Sequence, residues 1–174
     1  LWSVTTEGMA AATRVFALID SKPEIVDAPD ARPLHIPGSP LGGHIRYRDV
    51  HFAYQQGAPA LDGVTLEVAP GQKIALVGPS GSGKSTLFNL LMRFYEVDAG
   101  RIEIDGQEIS SVTIESLRRS MALVTQEAFL FDETIKANIG YGRTGASEQD
   151  IVEAAQAAAA HEFISQLPDG YETK

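Results

Sequence analysis

Residues 74–94 read IALVGPSGSGKSTLFNLLMRF, and this stretch is the most informative part of the sequence. Its first four residues, 74–77, are continuously apolar, which predicts a strand covered on both faces. A glycine-rich loop follows over residues 78–83. Apolar residues then recur at the i, i+3, i+4 and i+7 spacing of an amphipathic helix, at Leu87, Leu90, Leu91 and Phe94. The stretch therefore predicts a strand, a glycine loop and a helix, in that order.

The loop fits the pattern G-x-x-x-x-G-K-[ST], which is typical of a phosphate-binding loop. Glycines let successive backbone N–H groups point inward around an anion, and the following helix adds its free N–H groups and its dipole. Lys84 offers a mobile positive charge to the β- and γ-phosphates, Ser85 offers a hydroxyl to Mg²⁺, and Thr86 offers a hydroxyl toward the α-phosphate. The predicted nucleotide-binding residues of this segment are Gly78, Ser80, Gly81, Ser82, Gly83, Lys84, Ser85 and Thr86.

The composition is that of a globular chain, and it argues against Cys-based chemistry and against nucleic-acid binding. The 174 residues carry a formal net charge of −9, with 44% hydrophobic residues and no Cys. The lack of Cys excludes disulfides, thiolate metal sites and Cys nucleophiles, and it fits a reducing compartment. The acidic balance disfavours nucleic acid as a partner, because binding phosphates along a strand requires a positive surface. No apolar run approaches the ~18 residues of a membrane span.

The first 43 residues precede the predicted domain. Residues 1–20 read as the end of a helix, with Met9, Ala12, Phe16 and Ile19 on one face. Residues 21–43 are predicted to be a linker, because five of the nine prolines lie there and proline both fixes φ and removes a backbone donor. We expect a domain boundary near residue 44, and the first residue, Leu1, is what an excised or processed piece would have.

The remaining sequence predicts further strands and helices. In the predicted strand 45–54 the alternation slips between Tyr47 and Val50, which indicates a bulge. Residues 64–68 alternate between apolar and polar side chains, which is typical of an antiparallel strand with one face exposed to solvent. The other predicted elements are strands at 101–104 and 121–124, a turn at Asp105-Gly106, and helices at 113–120, 133–139 and 148–160, the last two with Asp132 and Ser147 as N-caps.

Several longer patterns together resemble one family. They are VHFAYQQGAPALDGVTLEVAPGQKIALVGPSGSGKSTL at 50–87, GRIEIDGQEI at 100–109, SLRRSMALVTQEAFLFDETIKANIGYG at 116–142 and AAQAAAAHEFISQLPDGYET at 154–173. Over residues 44–174 the sequence resembles the nucleotide-binding domain of ATP-binding cassette (ABC) transporters, of the exporter type that is fused to a membrane domain and exports lipids or drugs. The resemblance implies that residues 1–20 end the last transmembrane or connector helix.

The same resemblance implies an α/β fold of the P-loop NTPase (RecA-like) class. A partial core with a mainly parallel sheet would carry the phosphate loop, with an antiparallel β subdomain over 45–72 and the start of a helical subdomain near 147–174. It also implies ATP and Mg²⁺ as ligands. Tyr54 stands where the family has an aromatic ring that stacks on adenine, and Gln126 stands at the Q-loop position.

In the family the Q-loop amide helps to hold Mg²⁺ or its water and senses the membrane domain. Gln126 and Lys84 are therefore the candidate catalytic residues, and Ser85 and Gln126 the candidate Mg²⁺ ligands. Segment 127–141 would face the coupling helices of the protein's own transmembrane domain. A second nucleotide-binding domain would pair head to tail with this one, at the cytoplasmic face of the plasma membrane, as part of an integral membrane protein.

Hydrolysis in the family also needs an Asp-Glu pair after a strand, an LSGGQ-type signature loop and a switch histidine. None of these follows Gln126 in the sequence. We therefore expect the 174 residues by themselves to bind ATP·Mg²⁺ weakly and not to hydrolyse it, whereas the parent protein is an ATPase that drives transport. Two alternatives stay open: another P-loop enzyme, such as a small-molecule kinase or a GTPase, and a non-catalytic regulatory module that binds a nucleotide.

Overall fold

The computed structural model of the chain describes residues 9, 12–13, 15–17, 19–21, 23–38, 42–55, 57–127 and 129–174. These residues cluster into two compact units, 1–122 and 123–174, and each is described by itself. The first unit holds the sheet and the glycine loop, and the second consists of helices and loops.

An antiparallel sheet of four strands forms the centre of the first unit. Its strands, in the spatial order β2-β1-β3-β4, are β1 (Ile45–Phe52), β2 (Leu61–Val68), β3 (Ala99–Ile104) and β4 (Gln107–Glu108). The register between β1 and β2 shifts between Tyr47 and Val50, which confirms the predicted bulge. Asp105 and Gly106 join β3 to β4 with φ of +49° and +76°, as a tight two-residue hairpin requires, so the predicted turn is confirmed as well.

One face of the sheet packs against helix α1 (Lys84–Leu91), which follows the glycine loop directly. Helix α2 (Ile114–Arg119) and the 3-10 turn Ile109–Ser111 extend the same core. The buried hydrophobic cluster consists of Tyr47, Val50, Phe52, Leu61, Leu87, Leu90, Ile102, Ile104, Ile109, Val112 and Leu117. The apolar spacing read in residues 74–94 is therefore confirmed as a helix whose inner positions are buried.

Two predicted strands are wrong as secondary structure. Residues 72–78 and 121–125 form no strand, and Val77 and Val124 are 89% and 94% exposed. A strand that is buried on both faces needs hydrogen-bonding neighbours on both sides. No strand of the described chain pairs with either segment, and the sheet that does form is antiparallel throughout. The expected parallel sheet is therefore not formed by the described residues.

The described residues of the predicted linker are hydrogen-bonded to the start of α2 and to β4. The backbone N–H of Ile114, at the start of α2, donates to a carboxylate oxygen of Asp27 at 2.7 Å. The side-chain amide of Gln107 bonds both backbone groups of His35, at 3.0 Å to the N–H and 2.6 Å to the carbonyl. Residues 23–38 thus form an ordered strap, while the predicted boundary near residue 44 stays a prediction.

Arg93, just beyond α1, joins this strap to the core. The residue is 3% exposed, and its backbone has a φ of +51°. Nη1 donates to the carbonyls of Ile109 and Val112, both at 3.1 Å, and Nη2 donates to the carbonyl of Val26 at 3.3 Å. Glu96 pairs with the same guanidinium at 2.7 Å. A buried charge is tolerated when it is paired and fully hydrogen-bonded, and Arg93 meets both conditions.

Three α-helices are found among the described residues of the second unit. They are α3 (Ile135–Gly140), α4 (Glu148–Ala157) and α5 (His161–Ser165), followed by a 3-10 turn at Gly170–Glu172. Ser147 caps α4 in a reciprocal capping box with Asp150, which confirms that predicted N-cap. The predicted N-cap at Asp132 is wrong, because Thr134 accepts the capping bond of α3 from the N–H of Ala137 at 3.1 Å.

The described residues among 9–19 are helical, as predicted. Their apolar side chains Met9, Phe16 and Ile19 are 72%, 61% and 67% exposed, so this face is not covered by the described chain. None of the helices that the structure describes combines the length and the apolar character needed to cross a membrane.

Replacing Arg93 by Ala leaves three carbonyl groups without their donor. We expect the intact protein to lose about 3 kcal/mol or more of stability and the strap to loosen. Thermal unfolding measures the first effect, and the rate of cleavage after the exposed Glu24 by a Glu-specific protease measures the second. Arg119→Ala is the control, since that guanidinium is 74% exposed and its pair with Glu115 is worth less than about 1 kcal/mol. Unchanged melting and cleavage in Arg93→Ala would contradict this account of the strap.

Candidate functional site

The glycine loop requires glycine at two positions for different reasons. Gly81 and Gly83 have φ of +81° and +82°, a conformation that side chains other than hydrogen strongly disfavour. A Cβ on Gly83 would also lie 2.6 Å from Leu61 Cδ2 and 2.7 Å from the carbonyl oxygen of Ala60. A Cβ on Gly81 would meet nothing within 4 Å. The last glycine of the loop is thus pressed against the start of β2, and the chain enters α1 from there.

The side chain of Lys84 folds back over the loop. Its Nζ donates to the carbonyls of Gly78 and Pro79, at 2.9 and 2.7 Å, and to the hydroxyl of Ser82 at 3.3 Å. Within the part of the chain that the structure describes, no carboxylate forms an ion pair with this ammonium. The loop therefore holds a positive charge that has hydrogen-bond partners but no counter-charge, which favours an anion at this place.

The first turn of α1 presents further donors. The N–H groups of Lys84, Ser85 and Thr86 find no acceptor among the described residues, as is usual in the first turn of a helix. No acidic residue occupies that turn, so its positive dipole end is not neutralised locally. Ser85 is exposed, whereas Thr86 is buried at 5% exposure. Together with Lys84, these groups form a cationic, donor-rich cradle that is open to solvent and suited to phosphate oxygens.

The donor set also fits Mg²⁺ in part. Ser85 brings one hydroxyl oxygen to the edge of the cradle, and Mg²⁺ commonly takes one or two protein oxygens with phosphates and waters completing its shell. Among the described residues, no cluster of three or more His, Asp or Glu side chains forms a metal site without phosphate. A Mg²⁺ ion that enters with its phosphates is therefore compatible with this site.

Tyr54 lies beside the cradle. Its hydroxyl donates to the hydroxyl of Thr86 at 3.2 Å and accepts from the side-chain amide of Asn89 at 3.1 Å. The ring packs edge to face against Phe52 and Tyr95, at centroid distances of 4.8 and 5.0 Å, and 48% of the residue remains exposed. The structure thus brings Tyr54 and Thr86 together, and the Thr86 hydroxyl is engaged by Tyr54.

Helix α1 is held on the sheet by a buried hydrogen bond as well as by apolar contact. The hydroxyl of Tyr47, on β1, donates to the carbonyl of Leu87 at 3.0 Å, and the Tyr47 side chain is 4% exposed. Burial raises the pKa of the Tyr47 hydroxyl well above its ordinary value, so it remains a proton donor at every physiological pH. The helix that begins at the cradle is therefore fixed relative to β1.

Gln126, the other predicted catalytic residue, belongs to the second unit, and its role stays a prediction. That unit carries an exposed apolar surface, which we call the aromatic surface. Its members are Phe129, Leu130, Phe131, Tyr141 and Phe163, between 52% and 89% exposed. They line one cavity of about 610 Å³. Contiguous apolar exposure of this kind is typical of a surface that contacts another protein segment, a membrane or a ligand.

Two functional candidates, Asn89 and Asn138, were missed in the sequence. Asn138 bonds both backbone groups of Phe131, with Oδ1 accepting from the N–H at 2.8 Å and Nδ2 donating to the carbonyl at 3.1 Å, and so it shapes the aromatic surface. Asn89 bonds Tyr54, as described above. Asparagine is a poor residue for a helix interior, and its presence inside α1 and α3 is the signal that could have located both.

The chain is similar to known transporters along nearly its whole length. The profile of the family described as ABC transporter matches residues 61–173. An ATP-dependent lipid A-core flippase of Syntrophus aciditrophicus is 47% identical over 96% of this chain and 27% of its own length. A fatty acid ABC transporter ATP-binding/permease protein of Mycobacterium bovis is 44% identical over 100% of this chain and 27% of its own length.

A solved structure gives the same result for the fold. A bacterial Atm1-family ABC exporter with ATP bound superposes with a TM-score of 0.83 at 42% identity, and it covers 99% of this chain. This chain spans 30% of that exporter and 27% of each curated relative named above.

Replacing Gly83 by Ala adds a methyl group where Ala60 and Leu61 leave no room. We expect Gly83→Ala to lower the melting temperature of the intact protein by 5 °C or more, on the order of 2–3 kcal/mol, from strain at positive φ and the clash together. Gly81→Ala is the matched control, because it has nearly the same φ but open space around it, and its expected loss is about 1 kcal/mol. Equal losses in the two variants would contradict the close contact at Gly83.

Proposed function

This chain belongs to the ABC transporter family, and on that premise we propose that the cradle over residues 78–86 binds the triphosphate of ATP together with Mg²⁺. Membership also confirms the predicted P-loop NTPase class and the resemblance to exporters. The single observation that carries the proposal is the geometry of Lys84: loop carbonyls hold its ammonium, and among the described residues it has no carboxylate partner and the neighbouring N–H groups have no acceptor. A kinase or a GTPase is not favoured by any relative named above.

The residues of the cradle have separate tasks in this proposal. The backbone N–H groups at the start of α1 bind phosphate oxygens, and Lys84 leaves its loop carbonyls to bind the β- and γ-phosphates. Ser85 gives its hydroxyl to Mg²⁺, which when bound neutralises part of the phosphate charge. Tyr54 offers the open face of its ring to the adenine base, and stacking on an aromatic ring is worth about 1–3 kcal/mol per base.

Gln126 is proposed as a second oxygen ligand for Mg²⁺ or its water, which makes it the candidate link between the nucleotide and the membrane part of the protein. Because hydrolysis needs a general base and further Mg²⁺ ligands that residues 127–174 do not bring, we propose that the 174 residues alone bind ATP·Mg²⁺ weakly and do not turn it over. The intact protein is proposed to be an ATPase whose activity drives export.

The aromatic surface is proposed to contact the membrane domain of the same protein. The Mycobacterium bovis relative is named an ATP-binding/permease protein, and this chain spans 27% of it, so that relative has a large part outside the matched region. An apolar surface held in shape by Asn138 is suited to receive a short amphipathic segment. This places the chain, in the proposal, at the cytoplasmic face of the plasma membrane, with a second nucleotide-binding domain as its head-to-tail partner.

Removal of the Lys84 charge tests nucleotide binding. We expect Lys84→Ala in the intact protein to weaken Mg²⁺·ATP binding by about 10–100-fold, since a charge-assisted hydrogen bond contributes ~1.5–3 kcal/mol. Calorimetric titration measures the dissociation constant. Lys73→Ala is the control, because it removes the same charge from an exposed position outside the cradle. Equal affinities for wild type and Lys84→Ala, or equal losses in both variants, would count against the proposed cradle.

The contact with the membrane domain is testable by Cys labelling, because residues 1–174 contain no Cys that would compete with an introduced one within this stretch. In the intact protein, in lipid, a Phe129→Cys variant is expected to react with a soluble maleimide at least 10-fold more slowly than a Gln149→Cys variant, as a covered thiol is shielded from the reagent. Mass spectrometry of the labelled peptides locates and measures the reaction. Phe129 is 89% exposed in this chain and Gln149 is also exposed, so equally fast labelling at both positions would refute the proposed contact.

A further inference from the structure

We infer that Asn89 is a positioning residue for recognition of the nucleotide base: it holds the Tyr54 ring in place and ties that ring to the phosphate-binding helix. The inference rests on the proposed function, because a residue can position a base only if the cradle binds a nucleotide. It deepens that function by assigning a task to a residue outside the loop pattern. It starts from contacts that neither the loop motif nor the comparisons describe.

A chain of hydrogen bonds runs from α1 through the Tyr54 hydroxyl and back to α1. Asn89 Nδ2 donates to the Tyr54 hydroxyl at 3.1 Å, and that hydroxyl donates to Thr86 Oγ1 at 3.2 Å. Thr86 and Asn89 are three residues apart on α1, which places them on the same face of the helix. The Tyr54 hydroxyl thus donates one hydrogen bond and accepts another, and both partners are side chains of the same helix.

The ring itself is fixed on two further sides. Phe52 stands at 82° to the Tyr54 ring and Tyr95 at 89°, with centroids 4.8 and 5.0 Å away. These edge-to-face contacts and the hydroxyl bonds determine both the position and the tilt of the ring. With 48% of Tyr54 exposed, an area remains open to a stacking partner. The arrangement is a preorganised aromatic platform, and preorganisation lowers the entropy lost on binding.

The residue type at position 89 supports this assignment. Asparagine stabilises a helix interior less than Leu or Ala does, so α1 itself gains nothing from it. Its backbone carbonyl accepts from the N–H of Phe94 at 2.9 Å, a bond that any residue would make. The specific contribution of Asn89 is its side-chain N–H donor, and the Tyr54 hydroxyl is the acceptor that it meets.

The decisive experiment separates binding of the base from binding of the phosphates. Dissociation constants for Mg²⁺·ATP and for Mg²⁺·tripolyphosphate, which has the phosphates but no base, are measured by calorimetry on the intact protein. The variants are Asn89→Leu, Tyr54→Phe and the double variant. We expect Asn89→Leu to weaken ATP binding by about 5–10-fold, because part of the stacking on an aromatic ring is lost, and to leave tripolyphosphate within 2-fold.

The hydrogen bond also predicts non-additivity. Tyr54→Phe removes the bond to Asn89 from the other side, together with the bond to Thr86, so the double variant is expected to bind ATP as weakly as Tyr54→Phe alone, not as the product of both losses. Tyr54→Phe also keeps the test valid if Asn89→Leu folds poorly, since it leaves α1 unchanged. Arg119→Ala, an exposed change on α2, is the control and is expected to keep both affinities within 2-fold.

Each of the other possible results would overturn a specific claim. If Asn89→Leu keeps wild-type ATP affinity, or weakens ATP and tripolyphosphate equally, then Asn89 does not position the base platform, while the proposed cradle stands. If the losses of the two single variants multiply, then the bond between Asn89 and Tyr54 is not their common cause. If the wild type binds neither ligand, the proposed function fails and this inference falls with it.

Discussion

Gly83 lies so close to Ala60 and Leu61 that no side chain fits between them, and the position of the phosphate cradle depends on this contact. It fixes where the loop ends and where α1 begins. From that point Leu87 and Leu90 are buried against the sheet, and Tyr47 bonds the carbonyl of Leu87. The free N–H groups of the first turn therefore keep a defined direction, which is the condition for binding a charged ligand without reorganisation.

The opposite end of α1 is held as firmly as its beginning. The buried guanidinium of Arg93 binds the carbonyl of Val26 in the strap and two carbonyls that precede α2. A single eight-residue helix thus connects the cradle at its start with the strap beyond its end. The two ends of α1 are thus fixed in different ways, by a close steric contact at Gly83 and by hydrogen bonds of a buried charge at Arg93.

The local pattern of apolar and polar residues predicted much of the first unit. It failed for segments whose structure depends on hydrogen bonds to neighbouring strands. The slip in alternation between Tyr47 and Val50 is a bulge, and the apolar spacing after the loop is α1, since both follow from which side chains face the core. The apolar runs at 74–77 and 121–124 are not strands, because strand structure depends on hydrogen bonds to neighbours that no described residue supplies. Thr134 and not Asp132 caps α3, because α3 begins at Ile135 and the Thr134 hydroxyl is the group that accepts from the N–H of Ala137.

By itself the sequence determined the chemistry of the cradle: glycines where the backbone must turn, a lysine for phosphate charge and a hydroxyl for a hard cation, since these follow from residue types at fixed spacing along one loop. The tertiary structure alone decided that Asn89 reaches Tyr54, that Arg93 binds the strap and that Gly83 is in contact with β2. These contacts join residues that lie between 22 and 67 positions apart in the sequence, and no local periodicity encodes contacts across such separations.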